Sequence, residues 1–289
     1  MQTSIEQKTG GIAFSVLMVG YFFVTLFFGV VASLLGLDNA VTQKISTFLP
    51  SICLFIVLMV FTKREKTNYR STLNLTKFSP TYLVPTFLIA GGMFLGLGFT
   101  NSIFAEFLIA IGLKLPSTSI SILNTWDFLF YTLSVCILPA VFEELFFRGF
   151  LLSSLKKSGA IVSSLLVALC FSLYHASLVQ FIYQFIYGFL LSLLTIKSKS
   201  CIPSMIAHFL NNFTVLVLTY FFKVENALSE YYFIIVGVVF LILGIAFLFY
   251  YKREKDVKIK GEKISQFMIT SIIGIVVCVL VAIIGVVGA

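Results

Sequence analysis

Nine apolar stretches recur along the chain, and most of them are close to the length that crosses a lipid bilayer. They cover residues 11–37, 45–62, 81–103, 128–151, 159–176, 178–196, 203–222, 231–251 and 264–288. A transmembrane helix needs about 20 predominantly apolar residues. Charged residues make up only 11% of the 289, whereas soluble domains contain about 25%. The sequence therefore predicts an all-α polytopic membrane helical bundle of about eight or nine transmembrane helices, with residues 1–289 forming a single membrane domain.

The two stretches between Ala160 and Ile196 lie unusually close together. They share 37 residues, which is long for one membrane crossing and short for two. We therefore expect a broken or partly re-entrant helical element in this part of the chain.

Basic residues concentrate in every second loop, as they do on the cytoplasmic side of membrane proteins. With a cytoplasmic N-terminus, the inner loops contain Lys63, Arg64, Lys66, Arg70, Lys77, Lys156, Lys157, Lys197, Lys199, Lys252, Arg253, Lys255, Lys258, Lys260 and Lys263. The basic residues of the outer loops are Lys44, Lys114 and Lys223. The sequence thus predicts a multi-pass protein with a cytoplasmic N-terminus. The net charge of +8 is then a topology signal, and no nucleic-acid partner is expected.

Other sequence signals concern disulfide and zinc binding by cysteines and the membrane in which the protein is expected. The five cysteines form no CxxC pair, so neither a disulfide framework nor a zinc knuckle is supported. No lipidation, Golgi or endoplasmic-reticulum tag is recognisable, and the chain is small. We therefore expect the protein in a bacterial plasma membrane, surrounded by lipid.

Residues 139–148 place two carboxylates and a guanidinium inside the fourth apolar stretch. An ionisable group at bilayer depth costs at least about 2.5–3.5 kcal/mol on insertion scales, so it is rare unless it is paired or used. Glu144 and Arg148 are four residues apart and share a helix face, which predicts an ion pair that supports the structure. Glu143 lies about 100° around the helix and lacks that partner. Glu143 therefore needs another explanation.

The two histidines of the chain also lie in apolar stretches. His175 ends the sequence Phe-Ser-Leu-Tyr-His, and His208 begins His-Phe-Leu-Asn-Asn. Asn212 is four residues after His208, so its amide shares that helix face. Polar groups this costly are best tolerated when they converge on one another and on water.

A cluster of these side chains is compatible with three kinds of chemistry. Glu143 and His175 can hold and deprotonate a water while His208 and Asn212 donate to an oxyanion, as amide hydrolysis requires. Glu143, His175 and His208 can instead ligate zinc, because two histidines and a glutamate with an open position form a known catalytic zinc set. A Glu/His chain can also relay protons in a transporter. Residue types alone do not separate these alternatives.

Depth in the membrane sets a condition on such a cluster. Counted from the cytoplasmic side, His208 is shallow, whereas His175 lies near the far end of its stretch, and each helical residue adds about 1.5 Å. Convergence requires the 159–196 element to start below the membrane surface, to tilt strongly or to break. Pro139 can also kink the helix that contains Glu143.

Three motifs in sequence order resemble the signature of the CPBP intramembrane proteases. They are Glu-Glu-x-x-x-Arg at 143–148, Phe-x-x-x-His at 171–175 and His-x-x-x-Asn at 208–212. The family comprises CAAX-processing and bacteriocin-processing proteins and is also called the Abi family. The resemblance covers about residues 120–222, which we interpret as a CPBP-like catalytic core.

The resemblance implies an intramembrane endopeptidase that hydrolyses a peptide bond of a membrane-associated or hydrophobic peptide. In such an enzyme Glu143 would activate a water beside His175. His208 and Asn212 would form the oxyanion site, while the second glutamate and the arginine of the first motif would hold the helix.

The resemblance leaves the cofactor and the substrate open. The family is often labelled metalloprotease, which would make Glu143, His175 and His208 zinc ligands, but a metal-free activated water has also been proposed for it. Eukaryotic members cut the last three residues from prenylated CAAX proteins, and bacterial members are associated with peptide pheromone processing and bacteriocin self-immunity. The alternative to an enzyme is a non-catalytic membrane immunity protein or chaperone that binds a peptide partner.

Overall fold

The computed structural model describes residues 5–65, 68–115, 122–222, 231–251 and 262–287, and the regular structure in these ranges is entirely helical. Each of the nine predicted apolar stretches contains helix. The all-α polytopic bundle predicted from the sequence is therefore confirmed.

Within the described ranges, six α-helices precede the segment that contains the carboxylate pair. They are α1 (Gln7–Leu34), α2 (Asn39–Ser46), α3 (Leu49–Glu65), α4 (Tyr69–Thr72), α5 (Leu83–Leu97) and α6 (Phe99–Ala110). The polar residues before α2 and α4 cap them: Asp38 accepts from the Ala40 N–H at 2.7 Å, and Asn68 accepts from the Arg70 N–H at 3.0 Å. Such caps satisfy backbone donors that the first helical turn leaves free.

Residues 125–154 form one nearly continuous helix, called the site helix below. It consists of α7 (Thr125–Tyr131), a π-helical turn (Thr132–Ile137), α8 (Leu138–Glu144), a second π-helical turn (Leu145–Leu151) and α9 (Leu152–Ser154). Pro139 is the second residue of α8, just after the first π turn. Because proline has no N–H, it interrupts the regular backbone ladder, and irregular turns of this kind occur frequently at functional sites.

Five α-helices follow the site helix in the part of the chain that the structure describes. They are α10 (Ala160–Tyr174), α11 (Phe181–Ser198), α12 (Ile202–Val217), α13 (Tyr231–Tyr250) and α14 (Ser265–Val287). A π-helical turn, Leu218–Phe222, continues α12.

Seven helical segments in the described part of the chain are long and apolar enough to cross a membrane. They are Gln7–Leu34, Asn39–Glu65, Pro80–Ala110, Phe181–Ser198, Ile202–Phe221, Tyr231–Tyr250 and Ser265–Val286. The other two predicted stretches are the site helix, which π turns interrupt, and α10, which has 15 residues. A helix of that length spans only about 22 Å, so the sequence estimate of eight or nine crossings includes these two irregular members.

The crowded stretch between Ala160 and Ile196 forms two antiparallel helices, α10 and α11, joined by the turn at 175–180. Ala176 has a positive φ of 47° in that turn, and the Ser172 hydroxyl donates to the Phe181 carbonyl at 2.6 Å. Gly188 lets the helices approach closely, because a Cβ there would lie 3.1 Å from the Ala168 Cα. The predicted broken element is thus a tight helical hairpin.

Several connections meet at one end of the bundle. The Asn74 amide donates to the Arg148 carbonyl at 2.7 Å, the Cys201 N–H donates to the Asn74 carbonyl at 2.9 Å, and Lys157 pairs with Glu262 at 3.4 Å. The described basic residues predicted for the inner loops are on the connections of this end: Lys63, Arg64, Arg70, Lys77, Lys156, Lys157, Lys197, Lys199 and Lys263. Lys66, Lys223 and the basic residues of 252–260 lie outside the described ranges.

Helices α5 and α13 cross at very short range through glycines. A Cβ on Gly96 would lie 2.7 Å from the Gly237 carbonyl carbon, and one on Gly92 would lie 2.8 Å from the Leu241 backbone nitrogen. Small residues at helix crossings let backbones pack directly, which stabilises association where no hydrophobic effect acts between helices.

We predict that Gly96→Ala destabilises the protein by about 1–3 kcal/mol, because the added methyl has no space at this crossing. Gly29→Ala is the control, since a Cβ there meets nothing within 4 Å. The measurement is the thermal unfolding midpoint of each purified variant in detergent. Equal midpoints for the two variants would contradict a close crossing of α5 and α13.

Candidate active site

A buried ion pair joins two turns of the site helix. Arg148 Nη1 donates to Glu144 Oε1 at 2.9 Å, and both side chains are 0% exposed. The Arg148 Nη2 also donates to the Gly188 carbonyl at 3.3 Å, and the guanidinium lies 4.1 Å from the centre of the Phe171 ring. These contacts offset part of the cost of removing a guanidinium from water. This Glu144–Arg148 ion pair is the one that the sequence analysis predicted from the spacing of four residues.

The same carboxylate oxygen binds a histidine of another helix. His208 Nδ1 lies 2.9 Å from Glu144 Oε1, and because this oxygen also accepts from Arg148, we assign the proton to Nδ1. The other ring nitrogen, Nε2, lies 3.9 Å from Glu143 Oε2. Glu144 therefore connects the site helix to α12, a contact that helix spacing did not predict.

His175 ends α10 and has a fixed tautomer. Its Nδ1 lies 2.8 Å from the Phe171 carbonyl oxygen. A carbonyl oxygen only accepts, so Nδ1 carries the proton and Nε2 keeps a free lone pair. The imidazole can thus act as an acceptor toward a water or a metal ion.

Phe171 connects the two histidines. Its ring centre lies 4.7 Å from that of His175 and 6.0 Å from that of His208. The residues of the three motifs, on three different helical segments, therefore come together, as the sequence analysis required.

A largely buried turn connects α11 to α12. Ser198, Ser200 and Cys201, at the end of α11 and the start of α12, are 0% exposed. The Cys201 N–H donates to the Asn74 carbonyl, and the Cys201 thiol contacts the Leu73 carbonyl at 3.2 Å. The start of α12 is therefore covered by the segment that contains Leu73 and Asn74.

The two asparagines that follow His208 are held by other helices. The Tyr183 hydroxyl donates to Asn211 Oδ1 at 2.6 Å, and the Asn211 amide donates to Asn212 Oδ1 at 3.3 Å. The Asn212 amide then donates to the Val135 carbonyl at 3.0 Å. Val135 lies four residues before Pro139, so its carbonyl has no helical donor at α-helical spacing. Asn212 thus satisfies the acceptor that the proline leaves free.

A cavity of about 430 Å³ lies beside this cluster. Its polar lining includes Glu143, Tyr174 and His175, and its walls come mainly from α1, α3 and α14. Neither His208 nor Asn212 is among its lining residues. Within the described residues, Glu143 Oε2 and the Tyr174 hydroxyl are both buried and have no hydrogen-bond partner. A cavity whose lining includes unsatisfied polar groups is a place where a protein can hold water.

The sequence analysis did not identify two hydroxyl groups in this region, those of Tyr174 and Tyr183. Tyr174 adjoins His175 in the sequence, and a hydroxyl next to a histidine in an apolar run is the only signal that marked it. Tyr183 orients Asn211 from the first turn of α11, and no spacing rule connects these two residues.

The expected zinc ligands do not form a ready-made metal site. Among the described residues, no group of three or more His, Cys, Asp or Glu side chains is arranged to hold a metal ion. His208 directs Nδ1 to Glu144, so Nε2, which lies 3.9 Å from Glu143 Oε2, is the nitrogen left for a metal ion. The zinc alternative stays a prediction.

Comparison with known proteins supports one family. Residues 125–214 match a family model described as "Rce1-like: Type II CAAX prenyl endopeptidase Rce1-like", and all three motifs lie in this segment. No curated protein matches the chain. The match confirms the resemblance of the central segment to CAAX proteases.

We predict that Glu144→Gln lowers the free energy of unfolding by about 3–5 kcal/mol, because it leaves Arg148 buried and unpaired. The matched control is Glu262→Gln, which removes an ion pair to Lys157 whose side chains are more than half exposed. Such a surface pair contributes about 0–1 kcal/mol. The measurement is thermal unfolding and yield in detergent. A Glu144→Gln protein as stable as Glu262→Gln would rule out a structural role for this carboxylate.

Proposed function

We propose that this protein is an intramembrane endopeptidase that hydrolyses a peptide bond of a hydrophobic or membrane-bound peptide with a water activated by Glu143. The observation that carries the proposal is the Glu143 carboxylate itself. One of its oxygens is buried with no hydrogen-bond partner in the described part of the chain, and the residue lines a cavity together with His175. The family match to CAAX endopeptidases supports the same reaction class.

The reaction begins with a water held between two acceptors. Ionised Glu143 and the free Nε2 of His175 each accept one hydrogen of this water, which leaves an oxygen lone pair for attack. As the oxygen bonds to the scissile carbonyl carbon, Glu143 takes one proton, and the carbonyl π electrons move to its oxygen. Collapse of the tetrahedral intermediate breaks the C–N bond, and the proton passes from Glu143 to the leaving amine.

The remaining motif residues act around this step. Glu144 and Arg148 fix the turn of the site helix that contains Glu143, and Glu144 orients His208. The oxyanion role that the resemblance assigns to His208 and Asn212 requires their N–H groups near the carbonyl oxygen. In this structure the His208 Nδ1–H donates to Glu144, and the Asn212 amide donates one hydrogen to the Val135 carbonyl.

The cavity walls favour an apolar substrate. Met18 and Phe22 from α1, Pro50 from α3 and Val281 from α14 surround the polar groups. Water is excluded by such walls, which strengthens electrostatic interactions at the reacting atoms. Because the matched family is described as prenyl endopeptidases, a prenylated CAAX peptide is the first substrate to test.

Membrane orientation is part of the proposal. The described basic connections gather at one end of the bundle, so we place that end and the N-terminus in the cytoplasm, by the positive-inside rule. A bacterial plasma membrane is the proposed location.

We predict that Glu143→Gln lowers kcat by at least about 100-fold, because an amide cannot take the proton of water. The assay uses purified protein in detergent and a quenched fluorescent peptide that ends in a farnesylated CAAX sequence. Glu106→Gln, an exposed glutamate in α6, is the control and should retain the wild-type rate. Normal turnover by Glu143→Gln would refute the assigned base. A wild-type protein that binds but never cleaves this peptide, or its unprenylated form, would favour the non-catalytic alternative.

Metal analysis of the purified protein, beside His175→Ala, tests the zinc alternative. We predict an active wild-type preparation that contains no stoichiometric metal. About one zinc per chain that is lost in His175→Ala would instead make His175 a ligand and require another base.

A further inference from the structure

Tyr174 is a buried tyrosine whose hydroxyl makes no hydrogen bond within the described residues. The residue is 4% exposed, and within the described residues its hydroxyl is buried and has no hydrogen-bond partner. It lines the cavity that also contains Glu143 and His175. Burying a hydroxyl without a partner costs free energy that a phenylalanine would not incur.

The phenol ring is held in place from three sides. Its centre lies 5.4 Å from the ring of Phe147, 6.1 Å from that of Tyr21 and 5.6 Å from that of His175. The ring of His175 is nearly perpendicular to it, at 87°. A ring packed in this way keeps its hydroxyl at one position, as an electrostatic role in catalysis requires.

An inventory of donors and acceptors at the cavity shows what is missing. Ionised Glu143 only accepts, and His175 offers the lone pair of Nε2 because Nδ1 donates to Phe171. Both groups suit the hydrogens of a water, but neither donates to a carbonyl oxygen. The His208 Nδ1–H donates to Glu144 and one Asn212 N–H donates to Val135, and neither residue is among those that line the cavity. Thr25, which also lines the cavity, donates its hydroxyl to the Tyr21 and Phe22 carbonyls. Of the two lining tyrosines, Tyr21 and Tyr174, it is Tyr174 whose hydroxyl is buried without a hydrogen-bond partner among the described residues.

We propose that Tyr174 is a catalytic residue whose hydroxyl donates a hydrogen bond to the scissile carbonyl oxygen as that oxygen becomes an oxyanion. The inference rests on the proposed endopeptidase function and adds a group outside the three motifs. No proton leaves the phenol: the water proton goes to Glu143, the carbonyl electrons go to the oxygen, and the O–H···O⁻ bond stabilises the charge. Collapse of the intermediate restores the carbonyl and breaks the C–N bond.

The test is Tyr174→Phe, which removes one oxygen atom and keeps the ring. Loss of one oxyanion donor lowers kcat by about 100–1000-fold, so we expect a fall of that size with KM little changed. The assay is hydrolysis of the farnesylated CAAX peptide by the full chain in detergent. Ser164→Ala is the control, because Ser164 is on the same helix, its hydroxyl is also buried and unpartnered, and it is not among the cavity-lining residues.

Binding separates a chemical role from a structural one. In a Glu143→Gln background, Tyr174→Phe should leave the Kd for the same peptide unchanged, because the hydroxyl acts on the transition state. Wild-type kcat in Tyr174→Phe would overturn the proposal, as would an equal loss in Ser164→Ala or a loss confined to Tyr21→Phe. A wild-type protein that cleaves no peptide would instead be a failure of the endopeptidase function itself.

A second variant covers the case in which Tyr174→Phe does not fold. Replacement of Tyr174 by 3,5-difluorotyrosine keeps the size of the ring and makes the phenol more acidic. We expect kcat to fall at high pH, where this phenol loses its proton and ceases to donate. A pH profile identical to that of the wild type would contradict the proposed hydrogen bond.

Discussion

Glu144 accepts from Arg148 and from His208 through one carboxylate oxygen, and the arrangement of the site depends on this shared acceptor. A guanidinium and a carboxylate at 0% exposure are tolerated only while each keeps its partner, because an unpaired buried charge is far more costly than a paired one. The pair therefore fixes the rotation of the site helix, and the histidine fixes the position of α12 against it. With that rotation set, the neighbouring residue Glu143 is directed about 100° away, toward the cavity.

The helix of the third motif, α12, is tied to the site helix by a hydrogen bond to a backbone carbonyl that a proline leaves free. Pro139 removes a backbone donor close to the functional carboxylates, and two π turns flank the short α8. The Asn212 amide donates to the Val135 carbonyl that the proline leaves free. Asn212, to which the resemblance assigns an oxyanion role, therefore also holds the backbone at the irregular turn. Both roles are possible together, because the amide nitrogen carries two hydrogens, one for the Val135 carbonyl and one for an oxyanion.

Much of this architecture was predictable from the sequence, because bilayer length and helix periodicity are strong constraints. Apolar runs indicated the helices, a spacing of four residues indicated the Glu144–Arg148 pair, and motif order indicated the family. The π turns, the contact of Glu144 with His208 and the buried turn at Cys201 were not predictable, since they depend on how helices of distant sequence pack. Tyr174 was overlooked because an aromatic residue in an apolar run is usually a packing residue, and only the cavity distinguishes it. The roles of the site residues stay predictions.

The cavity wall unites helices from opposite ends of the described chain. Met18 and Tyr21 of α1 face it from one side and Val281 of α14 from another. The two helices are joined by Ser15, whose hydroxyl donates to the Thr270 carbonyl at 2.7 Å and accepts from the Gly274 N–H at 3.1 Å. During biosynthesis α14 leaves the ribosome long after α1 and the site helix have entered the membrane. The wall around Glu143 is therefore complete only after the last described helix has been synthesised and has packed against α1.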